Sequence, residues 1–391
     1  MEIKYPLATA TWDKAEFDAM NRVIKSNSFT MGKEVSKFEI DFANFFNKKY
    51  AIMLNSGSSA NLLMIASLFF KKDNPLKAGD EIIVPAVSWS TTYMPLQQYQ
   101  LKVKFVDIDL HTLNFDLNKL SEAVSSKTKA ILGVNLLGNP NDYNFIKSLI
   151  KDKNIYLLED NCESMGARYE GEYAGSIGLM GTFSTFFSHH ISTMEGGVLV
   201  TDDEELYHIS LSLRAHGWTR NLPKVNHITG IKSDNSFEES FKFVLPGYNL
   251  RPLELSGAIG QEQLKKLPLI IENRRENAKI FTNIISKYEW LIPQYEIGES
   301  SWFGFSLIIK PTSGKEREKL VEIFESFGIE YRPIVAGNFV KNDVISFFNY
   351  EVSSELTNAN LVDSHGLFIG NHHYNLSKEF KVLEQALEAY N

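Results

Sequence analysis

The chain has 391 residues, 43% hydrophobic and 23% charged, a composition typical of a globular protein long enough for two or three domains. Its 40 basic and 48 acidic residues give a net charge of −8, which argues against a general nucleic-acid or membrane-surface binder. Cys162 is the single cysteine, which excludes an intramolecular disulfide framework and an iron–sulfur cluster held by four thiolates of this chain.

The sequence predicts neither a signal peptide nor a membrane span. Residues 1–6 lack the pattern of a signal peptide. The longest apolar stretch, residues 62–70, is far shorter than the roughly 20 residues that a helix needs to cross a bilayer. We therefore expect a cytoplasmic location.

The N-terminal part contains a turn of small residues, 55–60, between a strand and a helix. The predicted elements are helices over 14–25 and 32–46, a strand over 50–54 and a helix over 61–70. Free N–H groups at such a helix N-terminus favour a phosphate. Ordinary N-capping by Ser58 or Ser59 explains the same residues.

Strands and helices continue to alternate as far as residue 159. The predicted strands span 81–85, 103–106, 129–136 and 155–159, and the helices span 117–124 and 143–151. This pattern predicts an α/β fold with a mainly parallel sheet covered by helices on both faces. Ligands bind outside the carboxyl ends of such strands. One pocket is therefore expected to collect the residues at those ends, which are Ser56, Gly57, Ser58, Trp89, Asp160, Glu163, Ser184 and His189.

Two of these residues, Asp160 and Trp89, differ in how strongly they indicate a ligand site. Asp160 follows an apolar strand, and it must be paired because burying a carboxylate without a partner is costly. Trp89 taken alone is better explained as a core residue.

Further along, predicted strands over 182–187 and 198–200 enclose a polar turn with two adjacent histidines, His189 and His190.

A change of pattern after residue 252 predicts two domains, a large one over 1–252 and a small one over 253–391. Before it, residues 214–220 are cationic and aromatic, and residues 224–243 are predicted to form an irregular loop. After it, the predicted elements are helices over 253–267, 273–287 and 315–327 and strands over 302–309 and 329–333. The small domain is therefore expected to be an α+β unit.

Together these stretches resemble the fold-type I, pyridoxal-phosphate-dependent sugar aminotransferase family (the DegT/DnrJ group). The motifs that carry the resemblance lie at residues 55–62, 159–167, 183–197, 247–251 and 258–264. The resemblance implies an aspartate-aminotransferase-like fold and bound pyridoxal 5'-phosphate or pyridoxamine 5'-phosphate.

The resemblance also assigns roles to individual residues. It implies that Gly57, Ser58 and Ser184 hold the cofactor phosphate, and that Asp160 pairs with the pyridine nitrogen. It further implies that Trp89 stacks on the ring and that Glu163 lies near its hydroxyl. Asn249 is implied to reach the cofactor phosphate of a neighbouring subunit, in a homodimer with shared active sites.

The sequence departs from the family at one position. The resemblance places a Schiff-base lysine six residues before the Glu-Gly-Gly motif and five after the phosphate serine, and both counts fall on His189. No lysine occurs between Lys153 and Lys224. Imidazole does not form the imine that a primary amine forms, but it is a good base near neutral pH. His190 is the alternative active member of the pair.

This substitution is similar to that of the sugar 3-dehydratases, and the single cysteine favours the kind that has no iron–sulfur cluster. The resemblance implies L-glutamate as amino donor and a GDP-linked 4-keto-6-deoxy-mannose as substrate, deoxygenated at C3 with His189 as the acid and base. The alternatives are an aminotransferase or dehydratase acting on another nucleotide sugar, and an inactive relative that only binds its ligand.

Four further residues are weaker candidates. His216 either takes part in acid–base chemistry or is a surface or structural histidine. Arg220, Arg251 and Arg332 are candidates for the substrate pyrophosphate, because guanidinium groups fit phosphate oxygens. For each arginine, a surface salt bridge is the alternative. The sequence suggests no metal site.

Overall fold

The computed structural model describes residues 2–390. Its helices are α1 (Lys14–Ser26), α2 (Lys33–Phe45), α3 (Gly57–Leu68), α4 (Ser90–Gln98), α5 (Leu117–Ala123), α6 (Tyr143–Ile150), α7 (Glu204–Arg214), α8 (Ser236–Ser240), α9 (Glu254–Ile285), α10 (Arg317–Phe327), α11 (Thr357–His365) and α12 (Ser377–Tyr390). No helix among these residues is long and apolar enough to cross a membrane.

The strands fall into two main sheets and two short hairpins. They are β1 (Tyr50–Leu54), β2 (Glu81–Pro85), β3 (Lys102–Val106), β4 (Thr128–Val134), β5 (Tyr156–Asp160), β6 (Arg168–Tyr169), β7 (Glu172–Tyr173), β8 (Met180–Ser184), β9 (Gly197–Thr201), β10 (Val225–Asn226), β11 (Gly230–Ile231), β12 (Leu291–Ile292), β13 (Gly304–Ile309), β14 (Tyr331–Arg332), β15 (Tyr350–Val352) and β16 (Gly366–Gly370).

The larger sheet has eight strands in the order β1-β9-β8-β5-β4-β2-β3-β15. Strand β9 runs antiparallel to both of its neighbours, and the other seven strands are parallel to one another. Every residue of β2 and β8 is buried, because helices cover both faces of the sheet. The predicted α/β fold with a mainly parallel sheet is confirmed.

The second sheet is antiparallel, in the order β12-β13-β16-β14. Its core joins Phe305 of β13 and Ile369 of β16 to Phe324 of α10 and Phe380 of α12. The elements after residue 253 thus include an α+β unit, while strand β15 adds to the edge of the larger sheet by pairing with β3. The division at 252/253 stays a prediction.

The clearest differences between the predicted elements and the structure lie in three regions. The helices predicted over 253–267 and 273–287 are one helix, α9, which runs through Pro268 because buried apolar residues continue on both sides of it. The predicted irregular segment 224–243 contains the hairpin β10–β11 and helix α8. Helix α3 begins at Gly57, earlier than predicted, because Ser56 caps it.

Candidate active site

The N-terminus of α3 lies directly against the carboxyl end of β8. A Cβ atom at Gly57 would lie 2.7 Å from the Cβ of Ser184 and 3.2 Å from the sulfur of Cys162, so only glycine permits this approach. The cap is Ser56, whose side chain accepts from the backbone N–H of Ser59; capping by Ser58 or Ser59 is therefore wrong. The hydroxyl of Ser58 points instead to Thr91, 3.1 Å away.

Asp160 ends β5 and is 5% exposed. One carboxylate oxygen accepts from the Asn61 amide (2.8 Å) and the Thr92 hydroxyl (2.7 Å), and the other accepts from the backbone N–H of Cys162 (3.2 Å). None of these three donors is charged, and within residues 2–390 Asp160 forms no ion pair. A buried carboxylate of this kind is prepared for a cation that the chain itself does not provide.

The neighbouring acid, Glu159, is satisfied within the chain. Its carboxylate accepts from the backbone N–H groups of Gly175, Ile177 and Gly178 at 2.5–2.6 Å. Adjacent residues of a strand face opposite sides of the sheet, so only Asp160 points to the site.

His189 lies on the turn that follows β8, close enough to Asp160 for the charge of that carboxylate to act on its ring. Its Nδ1 lies 2.8 Å from the carbonyl oxygen of Cys162, and its ring contacts Phe303 with centroids 5.0 Å apart. A carbonyl only accepts, so Nδ1 carries the proton and Nε2 holds the free lone pair. Burial lowers the pKa of His189 to about 4, so the ring is a neutral base at physiological pH.

His190 points away from this group. It is fully buried, and its Nε2 lies 3.2 Å from the carbonyl oxygen of Ser301, to which it donates. The geometry thus favours His189 over its neighbour as the available base.

Glu163 lies on the other side of Cys162 and accepts from the backbone N–H of Leu137 at 3.1 Å. Burial raises the pKa of the Glu163 carboxyl to about 7, and the charge of Asp160 contributes in the same direction. Leu137 has a positive φ of 49°, an uncommon conformation for this residue type that brings its N–H to the carboxylate.

Trp89 precedes α4 and is 58% exposed, so a place in the core is wrong. The same helix brings Thr92 to Asp160 and Thr91 to Ser58. The indole is therefore an open aromatic surface at the start of the helix that brings Thr92 to Asp160, and it is suitable for stacking on a planar ring.

A cationic and aromatic patch forms from residues 216–251. The guanidinium of Arg220 lies 4.5 Å from the Trp218 ring, and that of Arg251 lies 5.8 Å from it. His216 contacts the same ring at 4.7 Å, and Arg251 donates to the Asn249 side chain at 2.9 Å. Through these contacts the structure joins four of the predicted residues to one another, and none of them to His189.

Arg332 is on β14, where it is exposed and donates to the carbonyl of Tyr331. Arg220, Arg251 and Arg332 form no ion pair with any residue in the described part of the chain. The salt-bridge alternative is thus absent from the structure for all three. Across residues 2–390, no group of three or more potential metal ligands is placed to hold a metal.

Sequence reasoning missed the side chains that hold Asp160. Asn61 and Thr92 lie 99 and 68 residues away from it along the chain. Asn61 carried a detectable signal, since it is a polar residue inside a buried, otherwise apolar helix. Thr92 carried none.

The arrangement fits pyridoxal phosphate. The N-terminus of α3, the close approach at Gly57 and the hydroxyl of Ser184 suit a phosphate. The unpaired Asp160 suits a protonated pyridine nitrogen, and the open face of Trp89 suits its ring. No lysine nitrogen forms an ion pair with Asp160 in the described residues, and His189 occupies the position expected for the tethering lysine.

Comparisons with known proteins agree with this arrangement. The chain is 62% identical to GDP-4-keto-6-deoxy-D-mannose 3-dehydratase of Yersinia pseudotuberculosis, over 99% of this chain and 98% of that protein. It matches a crystal structure of GDP-4-keto-6-deoxymannose-3-dehydratase with a trapped PLP–glutamate geminal diamine, at a TM-score of 0.97 and 61% identity. A mutant of that enzyme with bound GDP-perosamine matches equally well, with a TM-score of 0.97. Both matches cover 98% of this chain and all of the other.

The predicted family is confirmed by a match that extends over residues 10–379. The chain belongs to the DegT/DnrJ/EryC1/StrS aminotransferase family.

Proposed function

We propose that the protein is a pyridoxal/pyridoxamine phosphate- and L-glutamate-dependent 3-dehydratase acting on GDP-4-keto-6-deoxy-D-mannose. The observation that carries the proposal is His189, whose free Nε2 stands where the family expects a covalent lysine, beside the unpaired Asp160. The 62% identity to a dehydratase of this name supports the substrate.

Different residues of the site are assigned to different parts of the cofactor. When bound, the cofactor supplies an electron sink at its protonated pyridine ring. With the cofactor bound, Asp160 would hold the positive charge of that ring, and Ser184 with the N-terminus of α3 would hold the phosphate. Trp89 would stack on the ring, and Glu163 would serve its hydroxyl.

His189 moves the proton. With cofactor and sugar bound, His189 Nε2 would accept the proton released by the cofactor's methylene carbon and would deliver it to the C3 hydroxyl of the sugar, which would leave as water. Two further features of the site suit this role. The ring is neutral before the step, and Cys162 fixes its tautomer. Without a lysine, no amine of the chain recaptures the cofactor in a covalent link.

The nucleotide part of the substrate is assigned to Arg220, Arg251 and Arg332, arginines outside the core that have no carboxylate partner within residues 2–390. Arg220 and Arg251 meet on the face of Trp218, a combination that suits pyrophosphate oxygens and a planar base. Arg332 is a further candidate. His216, on the same aromatic surface, is assigned to substrate orientation.

The assembly is proposed to be a homodimer with shared sites, in which Asn249 reaches the cofactor phosphate of the partner. Asn249 is exposed, and its side chain contacts Arg251 but no residue of its own cofactor cluster. The large apolar side chains of Phe186, Phe187 and Met194 are exposed close to His189 in the isolated chain. Such a surface is typical of an interface.

Mass analysis of the sugar product tests the function. We expect that the purified protein with pyridoxal phosphate, L-glutamate and GDP-4-keto-6-deoxy-D-mannose releases 2-oxoglutarate, ammonia and a sugar nucleotide lighter by one oxygen atom. An amino sugar would identify an aminotransferase instead. An unchanged sugar, with no glutamate-dependent change in cofactor absorption, would identify a relative that only binds its ligand.

A further inference from the structure

Arg274 is a buried cation that the chemistry above does not use. It lies on α9 and is 4% exposed, yet it forms no ion pair within residues 2–390. Its Nε has no hydrogen-bond partner in the described part of the chain, and its Nη1 donates to the carbonyl oxygens of Trp302 (3.3 Å) and Phe303 (3.0 Å). Burying an uncompensated charge is unfavourable, so a role in stability alone is a poor explanation.

The two carbonyls that Arg274 binds belong to a constrained turn. Trp302 has a positive φ of 47°, which costs energy for a residue with a large side chain. Asn371 donates from one amide nitrogen to the carbonyls of both Arg274 (3.1 Å) and Trp302 (2.9 Å). The turn is thus fixed from α9 and from the segment that follows β16.

This turn supports both titratable groups of the candidate site. The Phe303 ring packs against His189 on one side. The Phe303 N–H donates to the carbonyl of Leu137 (3.0 Å), and the N–H of Leu137 in turn donates to Glu163. A shift of the turn would therefore move both the Phe303 ring that packs on the imidazole and the Leu137 N–H that donates to Glu163.

Two charged groups act on the His189 ring, and they oppose each other. Burial is the main cause of its low pKa; the positive charge of Arg274 lowers that pKa further, and the negative charge of Asp160 raises it. The remaining titratable neighbours are His190, whose pKa burial and Arg274 also lower, and the Cys162 thiol, whose pKa burial raises. Burial lowers the pKa of Arg274 itself to about 9, so the guanidinium stays charged at neutral pH.

We propose that Arg274 is a positioning residue for His189: it fixes the Trp302–Phe303 turn against the imidazole and places a positive charge behind the ring. This role rests on the proposed function of His189 as the base. It predicts that the charge of Arg274 and the hydrogen bonds of its Nη1 have separable effects, one on the protonation of His189 and the other on its placement.

The test is an NMR titration of histidine-labelled apoprotein, which requires neither cofactor nor substrate. The His189 signal is assigned by its loss in His189→Asn. In Arg274→Met we expect the midpoint of the His189 titration to rise by roughly 0.5 pH unit or more. In Arg274→Lys, which keeps the charge, the midpoint stays close to that of the parent, while the rate of dehydration falls about tenfold because the shorter lysine side chain does not bring its ammonium to the position from which Nη1 binds both carbonyls.

Arg275→Met is the matched control. Arg275 is the next residue on α9 and also binds the loop before Trp302, through the carbonyl of Ser300 and the carboxylate of Glu299, but its side chain is 29% exposed. This variant should leave the His189 midpoint unchanged. If Arg274→Met does not fold, Arg274→Gln takes its place.

A His189 midpoint in the Arg274→Met or Gln variant equal to that of the parent would overturn the proposal, as would full activity in Arg274→Lys. Failure of the parent protein to dehydrate the sugar is a different result: it would reject the proposed function and leave the titration readable on its own.

Discussion

The imidazole of His189 and the carbonyl oxygen of Cys162 are joined by a 2.8 Å hydrogen bond that fixes the proton on Nδ1. Nε2 is therefore the atom that exchanges protons. In His189→Asn the side chain still donates to Cys162 but no longer accepts a proton at neutral pH. We expect dehydration to slow by roughly 10²- to 10⁴-fold, with cofactor affinity little changed, measured by product formation and by absorbance titration.

His190→Gln is the control for that variant. His190 donates to Ser301 and is turned away from Asp160, so its replacement should keep most of the activity. Equal losses in the two variants would contradict the assignment of the base to His189.

Glu163 predicts a pH dependence of stability. Burial raises the pKa of its carboxyl from 4.5 to about 7, so between these values the folded protein holds a proton that the unfolded chain has released. The free energy of unfolding contributed by this group therefore falls as the pH rises through that window. Glu163→Gln should stabilise the apoprotein at pH 8 relative to pH 4.5, by on the order of 1–3 kcal/mol, in urea unfolding at both pH values.

A suitable control is Glu318→Gln, since the Glu318 side chain is 72% exposed. This variant should follow the pH dependence of the parent. If the gain in unfolding free energy at pH 8 relative to pH 4.5 is the same in Glu163→Gln and in Glu318→Gln, the Glu163 carboxyl titrates as an exposed group does.

Local signals in the sequence predicted seven of the eight strands of the larger sheet, and the edge strand β15 was not predicted. Strands β1 and β2 have the predicted bounds, because each is a short apolar run between turn residues. Since parallel strands end at the same edge, the positions of Gly57, Asp160 and Ser184 in one cluster also followed from the order of the elements.

The remaining features depend on contacts between distant parts of the chain. The sequence predicts two helices, over 253–267 and 273–287, but buried residues on both sides of Pro268 belong to one continuous helix, α9. The approach of Arg274 to Trp302 and Phe303 joins a helix to a turn that no periodicity marks. Such pairings are decided by tertiary packing, and a single sequence does not display them.

Asp160→Asn separates cofactor binding from folding. Asparagine keeps an acceptor for Asn61 and Thr92 but loses the negative charge. We expect the melting temperature of the apoprotein to change little. The rise in melting temperature on adding pyridoxal phosphate should become smaller, because this rise depends on the ratio of ligand concentration to Kd. An undiminished increase would show that Asp160 does not hold the cofactor.

Arg220→Ala tests the nucleotide site. Removing a guanidinium that binds a phosphate should raise the KM for the GDP-sugar about tenfold or more and leave the reaction with L-glutamate unchanged. The control is Arg22→Ala, whose guanidinium pairs with Glu34 on the surface and should have no effect on either step. A loss in the glutamate step alone would move Arg220 out of the nucleotide site.

Asn249 provides the test of shared sites. If each site combines His189 of one subunit with Asn249 of the other, His189→Asn and Asn249→Ala homodimers are both impaired. After mixing, unfolding and refolding in equal amounts, half of the dimers carry one of each subunit. Each mixed dimer has one intact site, so activity should recover to about one quarter of the parent value. With both residues supplied by the same subunit, a mixed dimer has no intact site and mixing restores nothing.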